Sequence, residues 1–194
     1  NYGQAYGEWA EPDDVKAMHW TDFILTKPEV STAYGVYVLS LMAEMSDYIN
    51  DRESAEKYRA AAERLKIGYR ALRRTKKYPL DTDRQAQLVR PLYFDLLDRE
   101  DTEYAKIRLI KALDNYGWRV GTGFLSTPLI LYVLADIDIE YAYKLLENEE
   151  MPGWLFMPKN GATAIWEAWE GNFTENGGIA SLNHYSKGAV CEWI

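Results

Sequence analysis

Residues 127–148 read TPLILYVLADIDIEYAYKLLEN, and two kinds of helix follow one another within them. Pro128 suits a first helical position, where its missing N–H would have no partner and its φ is already helical. The run behind it, 129–135, is apolar on every side, and a helix apolar all round is expected to be buried all round. Asp138 then stands as the N-cap of a second helix over 139–148, whose apolar residues fall on one face. A buried helix followed at once by a half-buried one is the unit from which the fold is read.

The unit recurs upstream. Ser31 or Thr32 is the expected cap of a helix running to about Asn50, and residues 33–45 of it are again apolar almost all round. The next helix places Ala55, Tyr58, Ala62, Leu65, Tyr69 and Leu72 at steps of three and four, with Glu56, Arg59, Glu63 and Lys66 off that stripe. Residues 82–97 form a mixed segment that Pro91 is expected to kink or split. Residues 103–116 are read as amphipathic, with Tyr104, Ile107, Ile110 and Leu113 on the buried face. Residues 1–30, punctuated by Gly3, Gly7, Pro12 and Pro28, read as irregular. Further helical stretches are expected from Ala162 past Trp169 and from His184 to Trp193. No segment shows strand alternation. The expectation is an all-α chain, (α/α)6-toroid-like but incomplete, with inner helices covered on both sides and outer helices on one. A plain helical bundle is the alternative.

Composition narrows the function. The 22 basic and 30 acidic residues leave a formal charge of −8, which disfavours nucleic-acid backbones and anionic membranes as partners. No segment reaches the ~18 apolar residues of a membrane span, and no basic-then-apolar leader pattern is present. One cysteine, Cys191, excludes an internal disulfide, and two histidines, His19 and His184, offer no defensible metal site. Aromatic residues make up 14% of the chain, enough either for a carbohydrate site, where rings stack on sugar C–H faces, or for a core of large side chains.

Residues 152–169, PGWLFMPKNGATAIWEAW, set Trp154, Trp166 and Trp169 around one acid, Glu167. Apolar walls raise a carboxyl pKa by desolvation, so Glu167 can serve as an acid or a base; the alternative is a surface glutamate at a helix edge. His184, between Asn183 and Tyr185 and after Gly177 and Gly178, can donate to a sugar hydroxyl or be a satisfied structural residue. The 121–128 run, GTGFLSTP, lacks the lysine and spacing of a phosphate loop, so its glycines are read as permitting close backbone approach or a sharp turn. Glu8 and Glu11 flank Trp9 and are possible second carboxylates, with a charged loop the plainer reading for Glu11. Asn172, Phe173 and Thr174 form a glycosylation sequon.

Together GTGFLSTPLILYVLAD (121–136), MPGWLFMPKNGATAIWEAWEGN (151–172) and LNHYSKGAVCEWI (182–194) resemble the catalytic domain of family 78 glycoside hydrolases, the α-L-rhamnosidases. The YGEWAEP stretch (6–12) resembles a loop of the same domain, where the family more often has Asp before the Trp. The resemblance implies a six-hairpin α/α toroid that removes terminal α-L-rhamnosyl groups with inversion and needs no organic cofactor. It implies Glu167 as general base, with Glu8, Trp9, Phe124, Trp154, Trp166, Trp169 and His184 on blocks that meet the sugar. Rhamnose-containing glycosides are the implied partners.

The family's general acid lies upstream of the YGEW-like loop, in an acid-rich motif that this chain does not match. The chain opens on Asn1, and residues 1–194 are expected to be one domain, a fragment of a six-hairpin catalytic domain with little activity alone. Apolar inner surface would then be exposed, to be covered by rearrangement or by a homo-oligomer. Two other readings remain: a non-catalytic helical module that binds carbohydrate, and a different toroid glycosidase of fucosidase-like or trehalase-like kind.

Overall fold

The computed structural model describes residues 7–18, 27–74, 79–171 and 180–194. His19, the sequon at 172–174, and Gly177 and Gly178 lie outside the described residues. All regular structure among the described residues is helical: α1 (Asp13–Met18), α2 (Lys27–Tyr48), α3 (Arg52–Arg74), α4 (Gln85–Tyr93), α5 (Arg99–Asn115), α6 (Thr127–Ile137), α7 (Ile139–Leu146), α8 (Phe156–Lys159), a 3-10 turn (Ser186–Ala189) and α9 (Val190–Trp193).

Three antiparallel hairpins, α2/α3, α4/α5 and α6/α7, stand side by side. Helices α2, α4 and α6 form the inner layer, and α3, α5 and α7 the outer one. The 3-10 turn and α9 close over α6. This is an arc of an α/α toroid, as the alternation of helix types predicted.

Local signals explain several boundaries. The Asp138 carboxylate accepts from the Glu140 N–H at 3.0 Å and starts α7. Asp51 accepts from the Ser54 N–H at 3.1 Å at the start of α3, and the Ser54 hydroxyl together with that N–H holds its carboxyl below the usual range. Asn50 takes a left-handed φ of 60° at the turn before it, a conformation that Asn tolerates.

Six expectations need correction. Residues 1–30 are not wholly irregular: α1 lies there, and α2 begins at Lys27, with Pro28 in its first turn. Thr32 therefore caps nothing and donates its hydroxyl to the Pro28 carbonyl at 2.8 Å. Helix α2 is not buried all round, because Val38, Leu41, Met42 and Met45 lie on an exposed side. Pro91 does not split α4, which runs through it and ends two residues later, and Leu96 N–H donates to the Pro91 carbonyl at 3.0 Å.

The buried face of α5 is the one carrying Ala105, Leu109, Ala112 and Leu113, whereas Tyr104 and Ile107 face outward, Ile107 with 73% of its surface exposed. Two alanines let the α5 backbone lie close to α4, which the larger side chains would prevent. Finally, residues 162–171 form no helix. Their backbone partners are distant in sequence: Glu167 N–H donates to the Ser181 carbonyl at 2.9 Å, and His184 N–H to the Ile165 carbonyl at 2.8 Å.

Candidate active site

Four stretches without α-helix converge at one end of the arc: 7–11, 121–126, 162–171 and 180–185. The first two are fitted backbone to backbone. Phe124 N–H donates to the Trp9 carbonyl at 2.8 Å, and a Cβ on Gly123 would run into that same carbonyl. The expected close approach at Gly123 is thus to the 7–11 segment.

Glu8 anchors this junction. Its Oε1 accepts from the N–H groups of Gly123 (3.0 Å) and Ser126 (2.8 Å). Its Oε2 accepts from the Ser126 hydroxyl at 2.7 Å and pairs closely with Arg90. Arg90, fully enclosed on α4, also donates from Nε and Nη2 to Glu29 of α2, at 3.1 and 2.7 Å. Tyr69 of α3 donates to the other Glu29 oxygen at 2.9 Å. Burial opposes the Arg90 charge, but Glu29 and Glu8 outweigh it and hold the guanidinium above the usual arginine range.

Glu11 is buried too, and Arg84 grips it with two bonds, at 2.8 and 2.6 Å. Burial pushes the Glu11 carboxyl up, and Arg84 pulls it back. The charged-loop reading of Glu11 is therefore corrected. Glu8, expected to meet substrate, has its carboxylate wholly enclosed by protein.

The aromatic residues divide in two. Trp154, Trp166 and Trp169, expected to meet the sugar, are buried in the core. Trp154 and Trp169 meet edge to face at 5.5 Å, and Trp166 packs against Phe156 at 6.2 Å. Trp169 Nε1 donates to the Thr122 carbonyl at 2.7 Å, tying 162–171 to 121–126. Trp9, Phe124 and His184 keep accessible surface. Phe124 and His184 stack at 4.9 Å and 14°, and the exposed Tyr185 extends the stack at 5.2 Å and 11°. His184 Nδ1 accepts from the Ser186 N–H at 3.3 Å, which leaves the neutral ring's proton on Nε2 as a donor.

Glu167 is half-buried. Its Oε2 accepts from the Ser181 N–H at 3.0 Å, and its Oε1 accepts no bond among the described residues. The Glu167 carbonyl accepts from Lys187 Nζ in a close contact. Lys187 is fully buried, and its Nζ lies 4.7 Å from the Phe124 ring centre and 4.8 Å from that of Trp169. Burial lowers the Lys187 ammonium to about 7. Glu167, Phe124 and Trp169 are thus brought together around Lys187, with His184 stacked on Phe124 and Trp9 bonded to the Phe124 backbone.

Sequence reasoning missed Arg84, Arg90 and Lys187. Arg90 had a signal, since it interrupts the apolar run Leu88, Val89, Pro91, Leu92, whereas Arg84 stands in a polar stretch. Lys187, between Ser186 and Gly188, had none. A separate cleft of about 290 Å³ lies beside α1, between Asp14, Gln85, Tyr116 and Arg119, and holds none of the expected site residues. No group of three His, Cys, Asp or Glu among the described residues could hold a metal ion, and no described helix is long and apolar enough to cross a membrane.

The sequence as a whole has relatives. The family model of the bacterial alpha-L-rhamnosidase 6 hairpin glycosidase domain matches residues 1–194. An alpha-L-rhamnosidase of Formosa agariphila is 30% identical over 196 residues, covering 98% of this chain and 21% of that protein. One of Alteromonas sp. (strain LOR) is 31% identical over 200 residues, covering 100% of this chain and 21% of that protein. The solved structure of the Streptomyces avermitilis alpha-L-rhamnosidase complexed with L-rhamnose superposes with a TM-score of 0.78 at 27% identity, covering 98% of this chain and 18% of that one. The chain spans about a fifth of the length of the curated relatives it matches.

Proposed function

The chain belongs to the bacterial alpha-L-rhamnosidase six-hairpin glycosidase domain family, and on that premise we propose that it carries the water-activating side of a site that hydrolyses terminal α-L-rhamnosides with inversion. Glu167 is the general base. The observation that carries this reading is its half-buried carboxylate, with one oxygen held by Ser181 and the other unbonded among the described residues, beside the Phe124–His184 stack. A base needs such a free oxygen to take a proton from water. The His184 Nε2–H suits a sugar hydroxyl, and Trp9 and Phe124 suit the ring and its C6 methyl. L-Rhamnose in the solved Streptomyces avermitilis structure supports this substrate class.

Inversion needs a second carboxyl group about 6.5–9.5 Å from the base, to protonate the leaving oxygen. Glu8 and Glu11 are committed to Arg90 and Arg84. The general acid in this reading comes from sequence that the longer relatives carry and this chain does not span. The chain alone then turns over only rhamnosides whose leaving group needs no proton.

The test is hydrolysis of 2,4-dinitrophenyl α-L-rhamnoside, with Glu167→Gln as control and the first-formed anomer followed by NMR. Slow release of the β anomer, reduced ~100-fold or more in the variant, is expected. Turnover indifferent to Glu167→Gln, or release of the α anomer first, overturns the assignment. L-Rhamnose binding without any turnover would favour a carbohydrate-binding module instead. Hydrolysis of an unactivated rhamnoside as fast as the activated one would place the acid within the chain.

A further inference from the structure

Lys187 is an unusual core residue. Its side chain has no accessible surface, yet among the described residues no carboxylate is hydrogen-bonded to its Nζ. In place of a counter-ion it has two aromatic faces, Phe124 and Trp169, and one carbonyl, that of Glu167. Its own carbonyl accepts from Trp154 Nε1 at 3.0 Å, which fixes the backbone that carries it. An ammonium buried in this way is costly, and a methionine would fill the same volume without that cost. Packing alone does not call for a lysine here.

We infer that Lys187 is a positioning residue for the candidate base: by donating to the Glu167 carbonyl from between the Phe124 and Trp169 rings, it fixes where the Glu167 carboxylate is presented. The inference rests on the reading of Glu167 as base. Its amine can also change charge under working conditions, since burial lowers it to about 7. The charged groups around it are Glu170 and Glu167 on the 162–171 stretch, Glu8 on 7–11, and Lys16 on α1. The three carboxylates favour the ammonium, and Lys16 opposes it. The His184 imidazole stacks on the same Phe124 ring. A charged Lys187 makes the stronger bond to the carbonyl, so the hold on Glu167 tightens as pH falls through neutrality.

NMR on the isotopically labelled chain tests this without needing turnover. The Lys187 Cε signal is expected to titrate near neutral pH. The Glu167 backbone 13C′ and the Ser181 amide, which bonds to the Glu167 carboxylate, should move with the same midpoint. His184→Gln should leave that midpoint in place, because the imidazole is not its source. Lys187→Met should leave both probes flat between pH 6 and 8.5 at an unchanged circular-dichroism spectrum. In hydrolysis of the activated rhamnoside, Lys187→Met should lower kcat about tenfold while KM changes less than about twofold. A Lys187 Cε midpoint above pH 10, or Glu167 and Ser181 signals that ignore the Lys187 midpoint, overturns the inference. The wild-type titration decides the matter even if the variant fails to fold. Hydrolysis that is indifferent to Glu167→Gln would remove the base assignment and leave the Lys187–Glu167 coupling to be judged by these signals.

Discussion

Helix α6 has α4 on one side, α7 on another, and the 3-10 turn with α9 across its remaining flank. Helix α2 has α3 along it, meets α4 through Glu29 and Arg90, and touches Phe94, just past the end of α4, with Tyr34 and Tyr37 at ring distances of 5.0 and 5.1 Å. Both helices are apolar nearly all round. In α6 the consequence is burial of Leu129, Ile130, Leu131, Val133 and Leu134. In α2 it is an open apolar face ending in Met45, with 66% of its surface exposed. A helix's composition therefore states the surroundings it is suited to, and only the neighbours present decide whether it has them.

The largest way to break this comparison is Arg90→Met. Arg90 is the polar tie between the two helices: it holds Glu29 of α2 and, through Ser126 and Glu8, the start of α6. Removing it strands two buried carboxylates, at an expected cost of about 3–5 kcal/mol in urea unfolding. A loss below about 1 kcal/mol would show that the tie contributes little.

Leu134→Ala on α6 should cost about 2–5 kcal/mol, and Met45→Ala on α2 less than about 1 kcal/mol. Equal losses would mean that α2 is covered in solution. A smaller effect sharpens the α6 side. Lys187, on the turn over α6, has a folded value of about 7 against an ordinary 10.5. Between those values the unfolded chain holds a proton that the folded chain has released, so raising the pH favours folding. The stability deficit of wild type relative to Lys187→Met should be constant below pH 7 and shrink as pH rises from 7 towards 10. A gap independent of pH would contradict a buried, deprotonating amine. The smallest effect is expected from Leu41→Lys with Met45→Lys. Thermal stability should barely move, while any self-association in sedimentation velocity should weaken, because the open face of α2 would then carry charge.

The helical alternation was legible because burial class and cap residues are local. Pro128, Asp138 and the Ala55–Leu72 stripe needed no knowledge of the rest of the chain. The α5 face was misjudged because Ala105 and Ala112 carry little hydrophobic weight, although their small size is what brings α5 against α4. The stretch around Glu167 looked helical because the donors and acceptors that extend it, at 181 and 184, are not sequence neighbours. The convergence of Trp9, Phe124, His184 and Glu167 was foreshadowed by the motif blocks. The enclosure of Glu8 and Glu11 was not, since Arg90 and Arg84 lie 82 and 73 positions further on. Nothing in Ser186–Lys187–Gly188 announces a buried amine.

The bonds of Glu8 to Gly123 and Ser126 also have a temporal meaning. They join residues 115 and 118 positions apart. At about 5–20 residues per second, Glu8 is joined to the growing chain roughly 6–24 seconds before its partners. By the end of that interval the sequence of the α2/α3 hairpin has been made, while Glu8 still waits for its backbone donors. The wall around Glu167 waits longer still, because its partners at 181–187 are made after Gly123 and Ser126. Nascent chains halted before residue 181 have the three hairpins and lack the Ser181 and Lys187 donors to Glu167, so the helical scaffold precedes the candidate site.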